Sequence, residues 1–215
     1  MQRSFRWHHF LTGPSSSIGK TAPEPDKGDW NMKLTEPRVP TLPEAEWDEE
    51  TREMLEGLRR GGEVYNIFAT LARHPRLAKK WLVFAGHILA KSTLPRRDRE
   101  ILILRTGWLC DAEYEWGHHV VLARDAGLAP NEIDRIKLGH DAAGWTPHES
   151  ALLSAADELH SCAFVTDATW TALAESYSTQ QMMDLIFTVG QYHMVSMALN
   201  SLGVQLEEGF RGFKQ

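Results

Sequence analysis

Cysteine is nearly missing from this sequence. Cys110 and Cys162 are the only two, and no short spacing pairs them. That excludes a disulfide framework and a cysteine-based structural zinc centre, and it fits a reducing compartment such as the cytoplasm. No apolar run approaches the roughly 18 residues of a membrane span, and the apolar core of a secretory signal is also missing. Positive charge is in deficit, with 23 Lys and Arg against 29 Asp and Glu and a net charge of −6. A nucleic-acid binder needs a basic stripe that this balance does not supply. There is no phosphate-cradling glycine loop, no GxSxG nucleophile elbow, and no HExxH or paired ExxH metal pattern. The expectation is a protein with no cofactor and no metal, whose partner is a small molecule rather than nucleic acid or membrane.

Sustained hydrophobic alternation between hairpin turns is missing as well, which leaves an all-α domain. Residues 1–31 include GPSSSIGKTAPEPDKG, rich in Gly, Pro and Ser, and read as a disordered N-terminal extension. Residues 32–215 form the helical domain. A proline-studded lead-in, MKLTEPRVPTLPEAEW, is expected to run extended over its surface. Helices are expected over 48–60, 66–73, 75–91, 95–109, 113–126 and 130–138. Three more follow: one opened by the capping box Thr146-Pro147-His148-Glu149 and ending near Cys162, one capped by Asp167 and running to Tyr177, and one opened by Ser178-Thr179-Gln180-Gln181 and running to Ser201.

The chemistry gathers in EILILRTGWLCDAEYEWGHH, residues 100–119. Glu115 and His119 are four residues apart on one helix and therefore neighbours on one face, with His118 at its edge. A carboxylate beside an imidazole fixes its tautomer and raises its pKa, as a proton-transferring histidine requires. The same spacing also suits a surface helix pair. Tyr192, His193 and Asn200 are polar groups in an apolar final helix, read either as pocket residues or as satisfied core groups. Trp116 can line a pocket or fill a core. A ligand set of Glu115, His118 and His119, with Glu100 or His193, is chemically reasonable for zinc or iron but lacks a metal-site pattern.

The stretch from Tyr65 to Leu128 resembles the carboxymuconolactone decarboxylase family, which includes the alkyl hydroperoxidase D type of thiol peroxidase. The carrying residues are NIFATLARHPRL, then LPRRDREILILRTGWLCDAEYEWGHHVVLARDAGL. The tail GQYHMVSMALNSLGVQLEEG is similar to one branch of that family. The resemblance implies an all-helical subunit that assembles as a homotrimer or a hexamer of trimers.

The family's peroxidases carry Cys-x-x-Cys-x-x-x-His and a relay glutamate upstream. With the histidine on His119, Ala112 and Glu115 stand where the two cysteines would be, and Glu100 falls on the relay position. Both thiols are therefore missing where a peroxidase needs an attacking and a resolving cysteine. The decarboxylase branch keeps the acid–base residues. It implies His119 as proton donor oriented by Glu115, Glu100 as a proton relay or as a second group positioning the imidazole, and Arg105 as an anion anchor or a helix salt-bridge partner. The expected activity is decarboxylation, or related proton transfer, on a small cyclic or unsaturated acid. The alternatives are a thiol peroxidase using Cys110 and a helical binding or assembly protein without chemistry.

Overall fold

The computed structural model describes residues 33–213. The expected disordered extension, residues 1–31, lies outside the described residues. Within them the chain is helical throughout, without β-strands. A 3-10 turn, Glu44–Glu46, precedes α1 (Glu49–Glu56), α2 (Asn66–Leu71), α3 (Pro75–Ala90), α4 (Arg96–Leu109), α5 (Glu113–Asp125), α6 (Pro130–Ile136), α7 (Pro147–Cys162), α8 (Asp167–Ala174) and α9 (Thr179–Leu202).

Helix α4 is the axis of the domain. Every residue from Asp98 to Gly107 is buried, so its apolar side chains surround it instead of forming one stripe. Helices α5, α7 and α9 pack around it, with α6 at one end. Such a helix must pair its charged groups internally, because an unpaired buried charge costs several kcal/mol. Asp98 accepts from the Tyr177 hydroxyl at 2.5 Å and lies 3.0 Å from His148 Nε2. Arg105 bonds Asp157 at 2.6 Å. At its exposed start, Arg97 binds Glu132 of α6 and Glu149 of α7.

Two apolar clusters flank this axis. One contains Ile101, Leu104, Trp116, Leu152 and Leu185. The other contains Ile67, Ile88, Ile103, Tyr114, Tyr192 and Leu199. The proline-rich lead-in crosses the end of α9, where the amides of Arg38 and Val39 both donate to Leu202 O. The C-terminal segment lies across α5 at Gly117. A Cβ there would sit 2.8 Å from Arg211 O and 2.9 Å from Leu206 Cδ2, so this approach requires glycine.

The helix ends follow local hydrogen bonds. Thr146 and Ser178 cap α7 and α9 through capping boxes, as their spacing suggests. Thr166, not Asp167, caps α8, its hydroxyl accepting from the Thr169 amide. That helix stops at Ala174 rather than Tyr177, because Tyr177 turns inward to reach Asp98. Helix α1 stops at Glu56 rather than Arg60, where three-residue turn bonds replace the helical ladder ahead of Gly61 and Gly62.

Helix α7 closes through Ala163 in the left-handed region at φ 54°. A Cβ is unfavourable there and glycine is the usual occupant. Ala163→Gly is expected to stabilise the protein by about 0.5–1 kcal/mol, measured as a higher denaturant midpoint at unchanged slope.

Candidate functional site

Three helices meet at His119. Helix α4 supplies Glu100, α5 supplies Glu115 and His119, and α9 supplies Tyr192. The imidazole Nδ1 lies 2.7 Å from Glu100 Oε2. On the other side, Nε2 lies 3.0 Å from the Tyr192 hydroxyl and 3.5 Å from Glu115 Oε2. Arg99 closes the far end of the chain of contacts, its Nη2 3.1 Å from Glu100 Oε1. Glu100 is 0 % exposed, Tyr192 4 %, and Glu115 and His119 5 % each, so the interactions act in a low-dielectric setting.

The hydrogen bond that orients the imidazole therefore comes from Glu100, where the residue spacing had suggested Glu115. The reason is geometric. The carboxylate four residues earlier on the same helix stops 3.5 Å from Nε2, whereas Glu100 comes within 2.7 Å of Nδ1 from the neighbouring helix. Glu100 holds the proton on Nδ1, which leaves Nε2 to face Tyr192 and Glu115.

This arrangement drives the two carboxylates apart in acidity. Burial works against the charge of Glu100, but the charge and hydrogen bond of His119 and those of Arg99 outweigh it and hold its pKa below the usual value. Glu115 is dominated by burial, which raises its pKa despite the nearby His119 and His118. Burial also opposes the imidazolium, yet Glu100 and then Glu115 reverse this and raise the His119 pKa. Burial and the two carboxylates push the Tyr192 phenol well above its ordinary range, so it remains protonated. The site thus holds a fixed anion, a cation-prone imidazole, and a carboxyl group that retains its proton more readily than usual. Paired titratable groups pushed in opposite directions are the mark of an acid–base centre.

The other candidates are engaged elsewhere. Arg105 spends its donors on Asp157 and on the carbonyls of Ile136 and Lys137. It passes so close to Gly139 (φ 87°) that a Cβ there would lie 2.8 Å from Nη2. Its arrangement is that of a structural salt bridge. Trp116 is 0 % exposed and packs edge-on against Phe213 and at a tilt to Trp108, as a core side chain. His118 stacks on Phe210 at 4.0 Å and meets Glu207 Oε2 at 2.6 Å. Glu207 also accepts from the Tyr114 hydroxyl and the Asn66 amide, so His118 belongs to an anchor for the C-terminal segment. His193 turns from His119 toward His160, and the Asn200 amide donates to Cys110 O.

Arg99 and Glu207 were not singled out from the sequence. Arg99 stands among Arg96 and Arg97 with nothing in the local pattern to separate it. Glu207 is the first acid of the similar tail, but its contacts join residues 66, 114 and 118 and have no local signature.

Residues 75–158, the block that holds Glu100, Glu115 and His119, match the model described as the carboxymuconolactone decarboxylase family. A structure described as an alkylhydroperoxidase AhpD core, an uncharacterized peroxidase-related protein from Ralstonia eutropha JMP134, superimposes with a TM-score of 0.71 at 20% identity, covering 80% of this chain and 93% of that one. An uncharacterized peroxidase-related protein from Silicibacter sp. TM1040 gives 0.70 at 15% identity, over 82% and 97%. The debrominase Bmp8 in complex with 2,3,4-tribromopyrrole gives 0.63 at 18% identity, over 79% and 91%. At these identities the likeness defines the fold. A search of curated proteins finds no match.

Removing one partner from a buried charged pair leaves the other uncompensated. Glu100→Ala is expected to destabilise the protein by about 3–5 kcal/mol, and Glu100→Gln by less because it keeps a hydrogen-bond acceptor. The pH dependence has a defined sign. His119, with a raised folded pKa, contributes stability below its unfolded pKa and loses it as pH rises through the folded value. Glu100, with a lowered folded pKa, contributes stability above its unfolded pKa and loses it as pH falls through the folded value. Urea unfolding of wild type and Glu100→Gln across acidic to mildly alkaline pH tests both. The difference between the two proteins should be largest between those limits.

Proposed function

We propose that this protein is an acid–base enzyme of the decarboxylase type, acting on a small cyclic or unsaturated carboxylic acid. The observation that carries the reading is one imidazole held between two buried carboxylates of opposite tendency. In the proposed reaction, the bond from the substrate carbon to its carboxylate breaks and carbon dioxide leaves. The electron pair passes into the adjacent unsaturated system as an extended enolate. His119, as imidazolium, donates its Nε2 proton to carbon. Glu115, which retains a proton more readily than an ordinary carboxyl, then returns one to the ring and is itself reprotonated from solvent, so that each turnover takes up one proton. Glu100 stays anionic and holds Nδ1 throughout, and the Tyr192 hydroxyl donates to Nε2 once that nitrogen has lost its proton.

Burial constrains the substrate. With all four side chains at 5 % exposure or less, a ligand reaches Nε2 only after neighbouring groups part, which favours a small molecule. The tribromopyrrole complex of the structural neighbour agrees in ligand size. The thiol-peroxidase reading is less well supported. Burial pushes the Cys110 thiol up to about 11, only partly offset by Ser196, so little thiolate exists at neutral pH. Thiolate is the attacking species in peroxide reduction.

A screen of small unsaturated and lactone acids for carbon dioxide release tests this function. With a substrate in hand, His119→Gln should lower kcat by roughly 10²–10⁴-fold. Glu100→Gln should move the alkaline limb of kcat/KM to lower pH, because it removes the main influence holding the imidazolium. Glu115→Gln should move it less. Wild-type rates in His119→Gln would falsify the mechanism. Steady hydroperoxide turnover that vanishes in Cys110→Ser would establish the thiol route instead.

The proposed unit is a homotrimer or a larger homo-oligomer. Support comes from an apolar row on α9, where Met183, Phe187, Met194 and Met197 are all about half exposed or more, beside Val83 of α3. Such a surface is unusual on a monomer. Light scattering at micromolar concentration should give a mass of three subunits or more, and a monomeric mass would exclude the proposal.

A further inference from the structure

Away from His119, three donor side chains converge from three helices. Cys110 caps the end of α4, His160 lies in the last turn of α7, and His193 lies in the middle of α9. The Cys110 Sγ and one ring nitrogen from each histidine all lie within 4.8 Å of one another. No other described group of three or more His, Cys, Asp or Glu residues has this disposition.

The surroundings of the trio are ordered for coordination. His193 Nδ1 donates to Val189 O at 2.9 Å, which places the ring proton on Nδ1 and leaves the Nε2 lone pair free to bind. That lone pair faces His160 Nδ1, 2.9 Å away. A ring N–H committed to a backbone carbonyl is the usual support of a metal-binding histidine. The Asn200 amide holds the Cys110 carbonyl at 2.9 Å, where the chain leaves α4 through Asp111 at φ 51°.

We propose that Cys110, His160 and His193 form a binding site for a divalent cation of the zinc type, with a fourth coordination position left to water or a small ligand. One thiolate and two imidazoles are a borderline-soft donor set, suited to zinc and cobalt and unsuited to magnesium or calcium. Bonds of about 2.0–2.3 Å place tetrahedral neighbours roughly 3.3–3.6 Å apart. The two imidazole nitrogens therefore separate slightly and the sulfur closes in. His160 is exposed and can make that adjustment.

Binding requires the thiol to lose its proton and His160 to switch the proton it directs at His193 to its other nitrogen. Since burial holds the thiol protonated at neutral pH, each ion bound releases about one proton. The bound ion would tie the ends of α4 and α7 to α9 one residue from Tyr192, whose hydroxyl contacts His119. The site shares no residue with the reaction proposed above.

The test uses the full chain, titrated with Co(II) as a spectroscopic probe and then with Zn(II). The expected result is saturation at one ion per chain. It should show a thiolate-to-cobalt charge-transfer band and the intense visible bands of a four-coordinate centre, both lost on adding zinc. Cys110→Ser should abolish the charge-transfer band. His160→Asn, at an exposed position, should weaken zinc binding by about tenfold or more while circular dichroism remains unchanged. As a check needing no variant, zinc should slow alkylation of Cys110, followed by peptide mass, and leave that of the exposed Cys162 unaltered. Non-saturable binding, a charge-transfer band that persists in Cys110→Ser, undiminished affinity in His160→Asn, or equal alkylation of Cys110 with and without zinc would each overturn the proposal.

Discussion

The fold depends on a buried electrostatic chain, Arg99 to Glu100 to His119, running from the central helix into its neighbour. Burying a carboxylate with no exposed surface is tolerable only when opposite charge and hydrogen-bond donors surround it. Glu100 has both, from Arg99 on its own helix and His119 on α5. The same pairing keeps α4 and α5 in register and fixes which imidazole nitrogen carries the proton. Structural requirement and proposed chemistry are thus met by one set of contacts. Tyr192 extends that set to α9, so three of the helices packed at the core meet at a single ring.

Much of this architecture was legible in the sequence. Helical periodicity and capping boxes located the helices to within a few residues, because a capping side chain and the amide it accepts from are only three positions apart. The misjudged ends at Arg60 and Tyr177 were set by contacts that the pattern does not encode. Tyr177 leaves its helix to reach Asp98, 79 residues away in the chain.

The site was legible in part and for a different reason. Glu115 and His119 share a helix face, so their spacing announced them, while the resemblance added Glu100. Which carboxylate grips the ring could not be read from spacing, since the answer depends on how α4 lies against α5. Arg105, Trp116, His118 and His193 carry functional chemistry in their side chains, yet each is bonded or packed elsewhere. The trio of Cys110, His160 and His193 was invisible for the converse reason. Its members are 50 and 33 residues apart in sequence, with no short ligand spacing to detect.

The central claim is that Glu100 raises the basicity of His119 and fixes its proton on Nδ1. Nitrogen-15 NMR of histidine-labelled protein, followed through a pH titration, measures both quantities directly once His119 is assigned by comparison with His119→Gln. The account predicts a midpoint above the ordinary value near 6.5, with the neutral ring protonated at Nδ1, and a lower midpoint in Glu100→Gln. A midpoint below the ordinary value, or a neutral ring protonated at Nε2, would contradict it.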